Sequence, residues 1–300
     1  MDTQSSRREF LATSVAAVTL VGAASPPVSG LADERPALPN PQKSLHIKPR
    51  YHRWYVDPGV DWVETNTGAA TLDWSIPLSE AAIVLVDVWN HHYLKDTEAR
   101  AESIIDSKLV PLLAACREVG LPIIHAPSPP QAQAHPNHVK FERSSPAPPT
   151  PPAESWPPSE FRSKSGRYAA YKRPNEPRDP ELRKIRAGLT IHPKVQPVGQ
   201  EPVVATGDEL HKYCKAHGIL FLLFAGFNTN ACILVRDYGT LAMRSRGYEV
   251  AVIRDCTTGM ESKESQPTLS QTEGAILFLE MFDHYSISSD EIRSGLPKVV

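Results

Sequence analysis

Short apolar runs alternate with helical patterns along most of this chain, and this alternation limits the possible folds more than any other feature. Five runs predict buried strands, at residues 82–88, 121–126, 201–205, 219–226 and 248–254. Helical patterns fall near residues 98–119, 207–217, 231–246 and 266–284, and a last short strand is expected at 286–289. Because such alternation requires right-handed crossovers, it predicts a parallel sheet with helices on both faces. The expected fold class is α/β with three layers.

Two regions interrupt the alternation. Residues 33–79 are rich in proline and aromatic side chains, which predicts an N-terminal arm on the domain formed by residues 80–300. Residues 127–197 carry many prolines and no apolar period, which indicates an insertion within that domain. The insertion follows the second strand, at the edge where open α/β sheets bind ligands. It is therefore either a lid over the substrate or a flexible surface loop.

The first 32 residues resemble a twin-arginine export signal. Arg7 and Arg8 precede an uncharged apolar run at residues 11–24, and small residues suited to cleavage follow. That run is shorter than the ~20 apolar residues of a membrane-spanning helix, and no other stretch is long enough. We therefore expect an exported protein, periplasmic or extracellular, with no membrane span after processing.

Charge and cysteine content narrow the class of partner. The formal net charge is -2 and no long run of one sign occurs, which argues against nucleic acid or an anionic membrane and favours a small-molecule partner. Of the four cysteines, Cys116 and Cys214 lie on apolar helical stripes and Cys256 closes a strand. These positions predict free thiols rather than disulfides.

Two candidate catalytic residues follow predicted strands. Asp87 ends an apolar run, where a carboxylate is costly unless it has a partner or a catalytic task, although it could simply cap a loop. Cys232 lies where a strand turns into a helix, and a helix start would lower the pKa of its thiol; the alternative is a small buried residue. Because the carboxyl ends of neighbouring parallel strands meet, Asp87 could act as a general base for Cys232.

Several motifs together resemble the signature of isochorismatase-like cysteine hydrolases. They are Gly226-Phe227-Asn228-Thr229-Asn230-Ala231-Cys232-Ile233, Arg236-Asp237-Tyr238-Gly239, Arg246-Gly247-Tyr248, Arg254-Asp255-Cys256-Thr257 and the opening Val86-Asp87-Val88-Trp89-Asn90. Trp89 stands where glutamine is commoner in the family. The resemblance covers residues 82–289 apart from the proline-rich insertion.

The resemblance implies a six-stranded parallel sheet and a Cys232 thiolate that forms an acyl-enzyme while Asp87 takes and returns protons. It also implies an oxyanion hole formed by the backbone N–H groups of Asn228 and Cys232, with a non-proline cis peptide at Phe227–Asn228. Small amides and ureides are the implied substrates, and family members often form homo-oligomers. Four residues near these motifs are candidates for substrate binding: Trp89, Asn90, His91 and Phe227.

Two departures from the family pattern stand out. The family carries a catalytic lysine after the third strand, but residues 203–210 contain none; Lys194, Lys140, Lys164 and Lys172 lie elsewhere, each more typical of a solvated surface. Metal-binding members carry an Asp-x-His motif, whereas this chain offers only His135 and His138, with His91 and His92 near Asp87. These histidines are weak evidence for a metal site, so we expect no cofactor, with a bound metal as the less favoured alternative.

Three functions remain open at this stage. Asp87 beside Cys232 favours a hydrolase, whereas the missing lysine favours a non-catalytic protein that binds a small molecule. A redox or thioester function that uses Cys232 alone is the third alternative.

Overall fold

The computed structural model describes residues 43–141 and 156–298, and the predicted export signal at residues 1–32 lies outside them and stays a prediction. The strands are β1 (Ser44–Ile47), β2 (Arg50–Arg53), β3 (Gly68–Thr71), β4 (Trp74–Pro77), β5 (Ala81–Val86), β6 (Ile123–Ala126), β7 (Phe221–Phe227), β8 (Glu249–Thr258) and β9 (Tyr285–Ile287). The α-helices are α1 (Lys95–Ile104), α2 (Val110–Val119), α3 (Pro129–Ala134), α4 (Ser159–Ser163), α5 (Asp179–Ala187), α6 (Gly207–His217), α7 (Thr240–Ser245), α8 (Ser270–Met281) and α9 (Ser289–Gly295). Two π-helical turns lie at Ile105–Leu109 and Thr229–Ile233.

Seven strands form the main sheet, in the order β3-β2-β9-β8-β7-β5-β6. The five from β9 to β6 pair in parallel, whereas β2 and β3 add antiparallel strands at one edge. Strands β1 and β4 form a separate antiparallel pair. The α/β fold is thus confirmed, but the sheet has seven strands and is mostly parallel, not six-stranded and wholly parallel.

The strand predicted at residues 201–205 was wrong in extent. Val203 makes only isolated parallel bridges, to His125 and to His138. Pro202 has no N–H to donate, so although its carbonyl accepts a hydrogen bond from the N–H of His125 at 2.9 Å, no continuous ladder forms. The predicted N-terminal arm, at residues 33–79, contains four strands, β1 to β4. Its proline and aromatic content had not indicated strands.

Helices cover both faces of the sheet. Along β5, Ile83 and Leu85 belong to the apolar cluster that contains α1, α2 and α9, whereas Val84 and Val86 belong to the cluster of α6, α7 and α8. A strand buried on both faces explains why its sequence is apolar without interruption. None of the helices within residues 43–141 and 156–298 has the length and apolarity that a bilayer crossing needs.

Gly226 allows the two central strands to approach closely where the candidate site begins. It pairs with Val86 and has a φ of 112°. A Cβ at this position would lie 2.0 Å from the carbonyl oxygen of Val86, so no other residue fits without a backbone shift. The chain after β5 and the chain after β7 therefore leave the same edge of the sheet side by side.

Candidate active site

Asp87 is the first residue after β5 and is 6% exposed. Its φ is 44°, in the left-handed region that Asp tolerates better than most residues. The hydroxyl of Ser128 donates a hydrogen bond to Oδ1 at 2.7 Å. Oδ2 accepts no hydrogen bond from the residues that the structure describes, and it lies 3.6 Å from Nη2 of Arg236. A buried carboxylate with one open oxygen can accept a proton from a neighbour.

Cys232 lies in the π-helical turn after β7 and is the one partly exposed thiol of the four; Cys116, Cys214 and Cys256 are buried, and all four are free, as predicted. Burial and then the charge of Asp87 raise the pKa of the Cys232 thiol to about 11, while Arg236 acts in the opposite direction. The expected lowering of this pKa by a helix start was wrong. Desolvation of the partly buried thiolate is the largest cause of the rise, and the charge of Asp87 adds to it.

Hydrogen bonds from β8 and the loop after it hold the turn that carries Cys232. The hydroxyls of Thr229 and Thr257 are 2.6 Å apart and buried. The side chain of Asn230 donates to the carbonyl of Met260 at 2.8 Å and accepts from the N–H of Met260 at 3.0 Å. The Phe227–Asn228 peptide is cis, as the family resemblance implied. The nucleophile candidate is therefore fixed by several side-chain contacts rather than placed on a free loop.

The helix predicted at residues 231–246 is interrupted. The helical turns after Asn230 end at about Val235, and α7 begins only at Thr240. Between them, a Cβ at Gly239 would lie 2.7 Å from the carbonyl oxygen of Ile233, so the chain folds back tightly there. This turn leaves Arg236 close to Cys232.

A cavity of about 500 Å³ opens over Asp87 and Cys232. Its remaining lining is Trp89, His91, His92, Tyr93, Ser128, Pro130, Gln131, Ile185, Arg186, Leu189, Asn228, Ala231, Arg236 and Met260. Within this lining, the side-chain oxygens of Gln131 and Asn228 are buried and lack a partner among the described residues. Open acceptors of this kind suit a ligand that brings N–H or O–H donors.

The structure brings most of the predicted site residues together, with two exceptions. Asp87, Trp89, His91, Asn228 and Cys232 line the cavity. Asn90 does not: its side chain is exposed and its Oδ1 accepts a hydrogen bond from the N–H of Thr190 at 2.9 Å. Phe227 does not either, because its ring is fully buried 5.1 Å from the ring of Trp89.

Aromatic rings form one wall of the cavity. The His92 ring stacks on Trp89 at 4.8 Å and on Tyr93 at 4.5 Å. Burial lowers the pKa of His92, and its Nδ1 accepts a hydrogen bond from the N–H of Leu94 at 3.1 Å. His92 is therefore neutral at neutral pH and adds to the apolar part of the wall. Its neighbour His91 contacts the carboxylate of Glu98.

The end of the insertion is attached to the loop after β5. Trp89 and Ile191 form an isolated antiparallel bridge. The N–H of Asn90 donates to the carbonyl of Thr190 at 3.1 Å, and the N–H of His192 donates to the carbonyl of Val88 at 2.8 Å. These bonds bring Ile185, Arg186 and Leu189 into the cavity lining.

The four lysines considered from the sequence do not line this cavity. Lys194 pairs with Glu102 at 2.8 Å and with Asp106 at 2.5 Å. Lys164 lies over the ring of Phe161, and Lys140 and Lys172 are exposed. The arginines in the lining are Arg186 and Arg236, neither of which had been predicted. The spacing of four residues from Cys232 to Arg236 was the available signal, since it places both side chains on one helical face.

The histidines do not fit a metal site. His138 pairs with Glu209 at 3.2 Å, and Nδ1 of His135 accepts a hydrogen bond from the N–H of Asn137 at 3.1 Å. Among the described residues, no three side chains of His, Cys, Asp or Glu come together in a way that could hold a metal ion.

The chain is similar to several known proteins. Residues 81–277 match the isochorismatase domain family. The chain is similar to the structure of an isochorismatase from Pseudomonas putida KT2440, with 17% identity, a TM-score of 0.42, and coverage of 72% of this chain and 91% of that one. It is also similar to a cysteine hydrolase from Pseudomonas syringae pv. phaseolicola 1448A, with 15% identity, a TM-score of 0.43, and coverage of 74% and 94%.

A third similar structure is N-carbamoylsarcosine amidase from Thermoplasma acidophilum, with 13% identity, a TM-score of 0.37, and coverage of 71% of this chain and 98% of that one. No curated protein sequence matches the chain. The domain match spans well over half of the chain and carries the assignment. The chain therefore belongs to the isochorismatase family of hydrolases.

Proposed function

We propose that this protein hydrolyses a C–N bond in a small amide or ureide through an acyl-enzyme on Cys232. The observation that carries the proposal is the position of the Cys232 thiol beside the Asp87 carboxylate, both in the lining of a cavity of about 500 Å³. A thiol needs a proton acceptor to become a nucleophile, and the open Oδ2 of Asp87 is suited to that task. The volume suits a small molecule.

In the first half of the reaction, Asp87 accepts the thiol proton and the sulfur of Cys232 attacks the carbonyl carbon. The backbone N–H groups of Asn228 and Cys232 donate hydrogen bonds to the resulting oxyanion, and each such donor is typically worth ~10²–10³ in rate. Asp87 then gives its proton to the leaving nitrogen. The C–N bond breaks, the amine or ammonia departs, and a thioester remains.

In the second half, water attacks the thioester and Asp87 accepts a proton from it. The C–S bond breaks, the acid is released, and the proton returns to the sulfur of Cys232. Asp87 and Cys232 thus finish in their starting protonation states, so no co-reactant besides water is required.

Two other functions receive less support. The non-catalytic alternative depended on the absence of a cation near the thiol, but Arg236 lines the same cavity. A redox or thioester function that uses Cys232 alone gives no role to the Asp87 carboxylate beside the thiol, whereas hydrolysis uses it as the proton acceptor.

A panel of primary amides and N-carbamoyl compounds tests the proposal. We expect the wild type to release ammonia or amine from at least one, and Cys232→Ala to lower kcat at least ~10³-fold, as for other nucleophile deletions. Cys214→Ala is the matched control, because it removes a free thiol outside the cavity and should keep most activity. Hydrolysis by Cys232→Ala at the wild-type rate would contradict the proposal.

A further inference from the structure

Arg236 follows the nucleophile candidate by one helical turn. Its N–H donates a hydrogen bond to the carbonyl of Cys232 at 3.2 Å. The exposed fraction of its side chain is 35%, and the side chain lines the catalytic cavity. Residues separated by four positions lie on the same face of a helix, so the guanidinium points along the same side as the thiol.

The guanidinium closes a ring of polar contacts around the catalytic carboxylate. Its Nη2 lies 3.6 Å from Oδ2 of Asp87 and donates a hydrogen bond to the hydroxyl of Ser128 at 3.2 Å. The same hydroxyl donates to Oδ1 of Asp87 at 2.7 Å. Ser128 therefore bridges the cation and the carboxylate and fixes their relative position.

Arg236 also acts on the thiol itself, since its charge lowers the pKa of Cys232 against the larger effects of burial and of Asp87. Its own Nε is buried and has no acceptor among the described residues. An unpaired buried donor at the edge of a cavity can bind a group that arrives with the substrate or develops during the reaction. A guanidinium suits this role because it stays charged at any pH the protein meets.

Three other basic side chains of the described residues are less suited to this role. Lys194 is held by Glu102 and Asp106. Arg100 bonds to Thr258 and to the carbonyl of Gly259. Arg186 lines the cavity, but its side chain is exposed to solvent, where a charge acts weakly.

We propose that Arg236 is a catalytic residue, which pairs with the Cys232 thiolate and with the negative charge that develops on the attacked carbonyl. It supplies the cation that the sequence lacks after the third predicted strand, but from the residue that follows the nucleophile's own helical turns. The inference rests on the proposed function. When the proton of Cys232 moves to Asp87, the negative charge moves from the carboxylate to the sulfur, and the charge of Arg236 acts on both groups from one position.

Iodoacetamide alkylation of Cys232, measured as a function of pH, tests this role without a substrate. We expect Arg236→Gln to shift the pH at which the alkylation rate of Cys232 rises upward by about one unit, and to slow alkylation at pH 8 by about tenfold. The reason is that a charge within ~4–6 Å shifts a pKa by 1–3 units. Arg236→Lys should retain most of the wild-type rate. Arg246→Gln is the matched control, because Arg246 bonds to Asp208 at the surface and should leave the profile unchanged.

Arg236→Met serves as a second neutral variant in case Arg236→Gln does not fold, and circular dichroism verifies the fold of each. Wild-type alkylation profiles in folded Arg236→Gln or Arg236→Met would overturn the proposal. On any substrate found, Arg236→Gln should lower kcat by about 10²-fold with a small change in KM, as for the loss of one oxyanion donor.

The two proposals can fail separately. If turnover depends on Cys232 and Asp87 but Arg236→Gln alkylates and turns over like the wild type, the role of Arg236 is wrong and the proposed function stands. If Arg236→Gln shifts the alkylation profile but the wild type hydrolyses nothing in the panel, the proposed function is contradicted and the contact between Arg236 and the thiolate is supported.

Discussion

The cavity has two walls that are built in different ways. On one side, Asp87 and Cys232 follow neighbouring parallel strands whose register is fixed by the Val86–Gly226 pair. On the other side, Ile185 and Arg186 come from α5, a helix of nine residues that has no buried side chain, and Leu189 follows it. The first wall belongs to the core, and the second is attached by backbone bonds from residues 190–192 and by the packing of Leu189 and Ile191 against the core.

In the proposed mechanism, the sheet wall holds the reacting groups, Asp87 and Cys232, and the insertion wall shapes the substrate pocket. A nucleophile and its proton acceptor have to be held within a fraction of an ångström, which the sheet and its tight packing provide. The shape of a substrate pocket can vary with less cost if it is carried by a segment outside the core. We therefore expect changes in the sheet wall to affect folding or kcat, and changes in the insertion wall to affect KM.

The largest effect is expected at Gly226. Gly226→Ala should prevent folding or lower the free energy of unfolding by at least ~3 kcal/mol, because the new Cβ would overlap the carbonyl of Val86, 2.0 Å away, and the φ of 112° is unfavourable for alanine. Urea denaturation measures the free energy of unfolding. Gly247→Ala is the control, since Gly247 has a φ of 93° but nothing within 4 Å of the added Cβ. Gly247→Ala should lower the free energy of unfolding by only ~1–2 kcal/mol. Equal losses in the two variants would contradict the close-approach argument.

The next effect concerns Asp87 and has opposite signs in two assays. Asp87→Asn should reduce turnover at least ~10³-fold because the proton acceptor is lost. Asp87 raises the pKa of the Cys232 thiol, so its removal should lower that pKa and increase the thiolate fraction at pH 8. Alkylation should then be ~3–10-fold faster than in the wild type, whose rate rises with pH towards about 11. An unchanged rate in a folded Asp87→Asn would show that the carboxylate does not act on the thiol, and a slower rate would contradict the predicted direction of its effect on the pKa.

The smallest effect is expected in the insertion wall. Ile185→Ala and Leu189→Ala should each raise KM about fivefold with kcat within twofold, because each removes ~1 kcal/mol of partly exposed apolar contact with a substrate. Steady-state kinetics on any substrate of the panel measures KM and kcat of both variants. Arg183→Ala is the control, as Arg183 lies on the exposed face of α5 outside the cavity lining. A fall in kcat with KM unchanged would mean that the insertion takes part in the chemistry.

The sheet wall could be predicted from the sequence, and the insertion wall could not. Asp87 and Cys232 follow long apolar runs that predict buried strands, and the ends of neighbouring parallel strands meet at one edge. The residues of α5 that reach the cavity have no such pattern, because their position depends on backbone bonds between Val88–Asn90 and Thr190–His192. Such bonds leave no trace in side-chain periodicity.

Arg236 and the thiol's pKa escaped prediction for a different reason. An arginine on a helix is most often solvated, and only the packed structure shows that this one turns towards Asp87. A helix start was expected to lower the pKa of Cys232, but the size of the opposing desolvation depends on the burial of the thiol beside a carboxylate. Both properties arise from tertiary contacts rather than from local sequence.

An acyl-enzyme on Cys232 can be detected directly by the mass of the protein during turnover. Once a substrate is found, the wild type is mixed with it, quenched in acid within milliseconds to seconds, and analysed by intact mass and peptide mapping. We expect an added acyl group on the peptide that contains Cys232, which disappears as product forms and is absent from Cys232→Ala. Product formation with no adduct at any quench time, or an adduct on another residue, would contradict the acyl-enzyme mechanism.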